Sequence, residues 1–207
     1  MGGAPLLAAA LLLTACVRSA PPDPASGERF IDISELDPSI AVDIRYATAD
    51  NFTRTVLYPV NRCALRRRAA QALVQVQKEL RSGGLGLKVW DCYRPLSIQN
   101  KLWELVPDPR YVADPKRGSR HNRGAAVDAT LVDRSGRELE MPTGYDDFSE
   151  RAHRDYAAAA PAARKNSEQL ARVMEKHGFT GLRTEWWHFD FAGWREYDVE
   201  DRPLEAL

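Results

Sequence analysis

The sequence is short of net charge, of histidine and of cysteine. Its 207 residues carry 29 Lys and Arg against 29 Asp and Glu. A chain without excess positive charge lacks the footprint of a nucleic-acid binder, so no DNA or RNA partner is expected. The one dense basic cluster, "RRR" at 66–68, reads as the solvated start of a helix. None of the three cysteines stands in a CxxC spacing, which argues against a Cys-based zinc cluster. No internal repeat is visible. The longest apolar run, "MGGAPLLAAALLLTAC", is too short to cross a bilayer as a helix. With 44% hydrophobic and 28% charged residues, the remainder has the composition of a folded globular domain.

That apolar run has the hydrophobic core and small-residue exit of a secretory signal. "LTAC" at 13–16 resembles a lipobox, with Cys16 as the lipidated first residue of the mature chain. No Lys or Arg precedes the run, a departure from that pattern. The Pro- and Ser-rich "VRSAPPDPASGE" behind it reads as a flexible tether. The expected organisation is a signal peptide over 1–15, a lipidated tether over 16–29 and one domain over 30–207. The protein is then exported, periplasmic or envelope-bound, and held to a membrane by its N-terminal lipid. Setting Cys16 aside leaves Cys63 and Cys92 as a pair in an oxidising compartment, where a disulfide is expected. Its loop of about 30 residues would contribute roughly 3–4 kcal/mol.

Short strands are expected at 31–33 and 42–46. "RRRAAQALVQVQKELRS" repeats apolar residues at steps of three and four, the pattern of an amphipathic helix ended by Gly83 and Gly84. "LGLKVWDCY" alternates as a strand, Arg94-Pro95 breaks it, and Ser97 is placed to cap a short helix. "GAAVDATLVD" is a further strand, with Asp128 and Thr130 opposite Val127, Ala129 and Leu131. A helix around Leu170 and Met174 precedes a last strand in "EWWHFDFAGW". The order gives an α+β single domain on a small, largely antiparallel sheet flanked by helices.

Four histidines are few, and two occur in unusual company. "GSRHNRGAAVDATL" sets His121, Gly124 and Asp128 close together, and "RTEWWHFDF" sets Glu185 three residues before His188. Gly124 permits a tight turn that brings the His121 imidazole back over the Asp128 carboxylate. His188 is the leading third ligand for a catalytic metal, which needs three protein groups and one open position. In an unbroken strand Glu185 and His188 point to opposite faces, so the chain must bend near Glu185 for both to serve one site. Singly, each residue is more often an ordinary polar side chain than a ligand. His153 and His177 are read that way, His177 as a helix-terminal cation.

"SRHNRGAAVD" matches SxHxxGxAxD, and "EWWH" matches ExWH, the two signatures of zinc D,D-peptidases. With "DCYRP" at 91–95 and "RYATADNF" at 45–52, the chain resembles the D-alanyl-D-alanine dipeptidase family known from vancomycin resistance, over about residues 30–194. The resemblance implies one Zn²⁺ on His121, Asp128 and His188, Glu185 as catalytic base, and Arg94 beside the scissile carbonyl. It places Ser119 and Tyr111 in the pocket lining and Asp146 near the substrate amine. Arg94 can equally pair with Asp91. Trp186 is expected to wall the pocket while Trp187 packs in the core.

The implied activity is zinc-dependent hydrolysis of the dipeptide D-Ala-D-Ala in peptidoglycan metabolism. A D,D-carboxypeptidase or endopeptidase on peptidoglycan stems, or a non-catalytic zinc module, are the alternatives. The sequence does not give the oligomeric state.

Overall fold

A computed structural model of the chain describes residue 1 and residues 29–207. The signal segment, Cys16 and the tether through residue 28 lie outside the described residues. In chain order the elements are β1 (Phe30–Asp32), α1 (Ile33–Leu36), β2 (Ala41–Val42), β3 (Ala64–Arg66), α2 (Arg67–Ser82) and β4 (Leu85–Asp91). There follow α3 (Leu96–Leu105), β5 (Ala126–Asp133), α4 (Pro161–Lys176), β6 (Phe179–Leu182) and β7 (Glu185–Phe191). Among the described residues, a five-stranded sheet runs β2-β4-β5-β7-β6, and β1 pairs with β3 in a small second sheet. Among the described residues only the β2–β4 pairing is parallel.

The apolar stripe of α2 explains its seat. Ala69, Leu73, Val76 and Leu80 are buried, and α2 packs on β4. Leu170 and Met174 of α4 are buried likewise, with α4 against β6 and β7. On the strands, Leu87, Val127, Ala129 and Leu131 are fully buried. Each large apolar side chain withdrawn from water contributes about 1.5–3 kcal/mol, so this core fixes the strands on which the polar residues stand. Cys63 and Cys92 are both buried and joined as a disulfide, tying the chain before β3 to the end of β4.

Three local expectations are corrected. The strand expected over 42–46 stops at Val42, because the Ile44 N–H goes to the Asn61 side chain at 2.8 Å instead of to a strand partner. The chain then turns through a 3-10 helix, Arg45–Ala47. Arg66, expected in water, is buried in β3: it lies over the Phe30 ring, bonds the Arg123 carbonyl and pairs with Glu200. Ser97 does not cap α3. It sits inside the helix, and its own N–H is received by Asp201 Oδ1 at 2.7 Å, a cap supplied from far along the chain.

Candidate metal centre and active site

Strand register lines up the polar groups of the centre. Asp91 of β4 stands opposite Asp128 of β5, and Asp128 stands opposite His188 of β7. Directly opposed residues project from the same face, so the three form one row across three strands. A register shift between Val89 and Asp91 sets Asp91 into that row. His121 arrives from the loop side on a 3-10 turn, His121–Arg123, closed by Gly124 at φ 65°. A Cβ on Gly124 would lie 2.3 Å from Phe30 Cε1, so the turn requires glycine for space as well as for dihedral. Asn122, fully buried, pins the turn by accepting from Ser119 N and donating to the Arg94 carbonyl.

Three ligand atoms meet at one point. His121 Nε2 lies 3.2 Å from His188 Nδ1 and 3.3 Å from Asp128 Oδ1, and His188 Nδ1 lies 3.0 Å from Asp128 Oδ1. Tetrahedral ligands about 2.0–2.1 Å from a zinc ion are themselves separated by about 3.3 Å. The triangle therefore has the dimensions of a zinc ligand set. The outer ring nitrogens settle the tautomers. His121 Nδ1 donates to the Cys92 carbonyl at 2.6 Å, and His188 Nε2 donates to Asp190 Oδ1 at 2.9 Å. With those hydrogens on the outside, the neutral rings turn their inner lone pairs toward each other and toward a carboxylate oxygen, an arrangement that calls for a cation. Tyr145 donates to Asp128 Oδ2 at 2.9 Å, which leaves Oδ1 for the centre.

The surrounding carboxylates favour positive charge at this point: with no cation there, they hold a second proton on the His188 ring, the place a metal ion would take. Burial works against a charge on His188, yet hydrogen bonds to Asp128 and Asp190 outweigh it and push its pKa up to about 10. Burial would raise Asp128, but His121 and His188 hold it far below the usual carboxylate range. Among the described residues, His121, Asp128 and His188 are the set of side chains grouped as metal ligands are.

Glu185 reaches this centre through the bend the sequence demanded. β7 slips against β6, pairing Phe189 with Gly181 but Glu185 with Leu182. The slip breaks the two-residue alternation, and Glu185 Oε2 comes to 4.0 Å from His188 Nδ1. Burial raises its pKa to about 8; His188 pulls against that and Asp128 adds to it. Arg94 is held by Asp91 Oδ2 through Nε and Nη2, at 3.0 and 2.6 Å, and by Gln99 Oε1 through Nη1 at 2.8 Å. A guanidinium has five N–H groups, so one on each terminal nitrogen remains for a ligand.

Glu185, Arg94 and the three ligand residues line one cavity of about 130 Å³. Pockets for drug-sized ligands hold roughly 300–1,000 Å³, so this one suits a much smaller molecule. Ser119, Tyr111 and Asp146 line it too. Ser119 Oγ accepts the His121 N–H, and the Tyr111 ring stacks on Phe148. Asp146 adopts φ 58° and accepts from Tyr46 OH and Phe52 N. Burial, then the Asp128 charge, pushes its pKa up to about 7.

One tryptophan expectation is corrected: Trp186 does not wall the cavity but is fully buried, with Nε1 donating to Thr143 Oγ1, whereas Trp187 packs in the core as expected and its buried ring also borders the cavity. The slip of β7 falls at these two residues, so simple alternation misplaces Trp186.

A family model described as D-ala-D-ala dipeptidase, peptidase M15, matches residues 26–204. The chain belongs to this family. A D-alanyl-D-alanine dipeptidase of Escherichia coli K12 is 39% identical over 170 residues, covering 82% of this chain and 88% of its own. One from Enterococcus faecalis is 32% identical over 181 residues, covering 77% and 90%. Among solved structures, a vancomycin-resistance D,D-dipeptidase in complex with a D-Ala-D-Ala phosphinate analogue covers 79% of this chain and 66% of its own, at 18% identity and TM-score 0.40.

Several parts of this dipeptidase-family site escape sequence reasoning. Tyr145 and Asn122 carry no motif of their own, although Tyr145 adjoins Asp146 and Asn122 lies inside the first signature. The Cys92 carbonyl leaves no trace in the sequence at all.

Proposed function

We propose that this chain is a zinc dipeptidase that hydrolyses D-Ala-D-Ala to two D-alanines, outside the cytoplasm and tethered by lipid at Cys16. The observation that carries the reading is the meeting of two imidazole nitrogens and one carboxylate oxygen, 3.0–3.3 Å apart, beside Glu185 and Arg94 in one small cavity. Family membership and the names of the E. coli and E. faecalis relatives support the substrate. The lipobox-like "LTAC" and the paired Cys63 and Cys92 support the location.

His121, Asp128 and His188 hold the metal. A zinc ion held there would supply Lewis acidity for the scissile carbonyl and a water whose pKa is lowered toward about 7. Glu185 takes the proton of the attacking water and passes it to the departing amine. The free Arg94 N–H groups face the cavity where negative charge develops on the carbonyl oxygen. Asp146 receives the substrate ammonium, and Ser119 and Tyr111 complete the wall.

The test offers the protein free D-Ala-D-Ala and, separately, a pentapeptide stem ending in D-Ala-D-Ala, with alanine release as the readout. Turnover of the dipeptide is the expected result. Alanine released from the pentapeptide alone would overturn the substrate assignment in favour of a carboxypeptidase.

A further inference from the structure

The two histidines of the centre are held by different kinds of partner. His121 gives its outer N–H to a backbone carbonyl, that of Cys92. His188 gives its outer N–H to a carboxylate, Asp190 Oδ1, at 2.9 Å. Asp190 stands two residues on in β7, on the same face of the strand as His188. Its backbone is fixed on both sides, opposite Ala126 of β5 and opposite Thr180 of β6. The other carboxylate oxygen, Oδ2, lies 3.4 Å from Arg120 Nε, and the Arg120 guanidinium lies over the Trp194 ring at 4.7 Å. Asp190 is thus a carboxylate set on a strand paired along both edges, neutralised behind and aimed at one ring nitrogen.

We propose that Asp190 is a positioning residue for the metal: by accepting the Nε2 hydrogen it fixes the tautomer and tilt of His188, so that Nδ1 alone faces the zinc. The inference rests on the zinc reading above and assigns a role to a residue outside the ligand set. An imidazole free to rotate about its Cβ–Cγ bond, or to carry its hydrogen on Nδ1, offers the metal a lone pair only part of the time. A fixed acceptor on Nε2 removes both alternatives. A carboxylate also makes the ring a stronger donor than a carbonyl would. Asp190 does not itself line the cavity, and its oxygen nearer the centre goes to His188, so its effect on the metal runs through that ring.

The test measures zinc affinity by competition with a chromogenic chelator, at fixed pH, on the full protein, Asp190→Ala and Asp190→Asn. The metal-free thermal transition of each is recorded alongside. Asp190→Ala is expected to bind zinc about 10–100-fold more weakly, the usual loss on removing such a partner. Asp190→Asn keeps an acceptor oxygen at the same reach and should recover most of that loss. Zinc binding by Asp190→Ala within about threefold of the unaltered protein would overturn the inference. So would Asp190→Asn binding as weakly as the alanine variant, since the loss would then follow charge and not orientation. An unaltered protein that holds no zinc would instead overturn the zinc reading beneath both.

Discussion

Replacing Arg94 with alanine removes two things at once, and their sizes differ enough to be told apart. The guanidinium gives two N–H groups to Asp91, whose side chain is fully buried. Without it Asp91 keeps the Tyr58 hydroxyl at 3.0 Å and the Cys92 N–H at 2.9 Å, with His121 Nδ1 further off at 3.6 Å. A buried charge stripped of its counter-ion costs about 3–5 kcal/mol. In a domain of this size each kcal/mol moves Tm by about 2–4 °C, so Arg94→Ala should melt about 6–20 °C lower. The catalytic loss is separate: a missing donor to the developing oxyanion costs about 10²–10³ in kcat. Turnover is to be measured on D-Ala-D-Ala well below the lowered Tm, so that unfolding does not contribute. Adding Asp91→Asn removes the stranded charge and should return part of the stability without returning turnover. Turnover that recovers together with stability, or kcat within about threefold of the unaltered protein in the single variant, would refute the catalytic part.

Other perturbations probe neighbouring parts. Glu185→Ala should lower D-Ala-D-Ala turnover by at least about 10²-fold while zinc content by atomic emission stays at one per chain. Asp146 is pushed up to about 7, so between its ordinary 3.8 and pH 7 the folded chain binds more protons than the unfolded one. Stability therefore falls as pH rises through that window. Asp146→Asn should then melt higher than the unaltered protein at pH 8, by roughly 1–2 kcal/mol once solvent screening at this half-buried group is allowed for. The two should converge near pH 4, and the variant's KM should rise about tenfold or more. Cys63→Ala with Cys92→Ala opens a loop spanning 29 residues and should cost about 3–4 kcal/mol, read as a thermal shift of about 6–16 °C. A shift under 2 °C would speak against the bridge.

Much of the architecture is legible because it follows from periodicity. The apolar stripe of α2 and the alternation along β5 are read directly from spacing, and both elements form where spacing places them. The ligand residues are legible for another reason: each sits in a short signature together with the glycine or strand that aims it. Long-range partners do not show in this way. The burial of Arg66 depends on Phe30 and Glu200, and the cap of α3 depends on Asp201, none of them neighbours in sequence. Trp187 and not Trp186 borders the cavity because a slip between β6 and β7 overrides strict alternation. The same slip delivers Glu185 to the centre, a requirement stated from the sequence whose means became visible only in the register.

Diffraction recorded across the zinc absorption edge from crystals grown with zinc addresses the ligand set most directly. One anomalous peak about 2.0–2.2 Å from His121 Nε2, Asp128 Oδ1 and His188 Nδ1, with Glu185 close by but not bound to it, is the expected result. A peak elsewhere, or one lacking either imidazole, would contradict the proposed centre and the chemistry assigned to it.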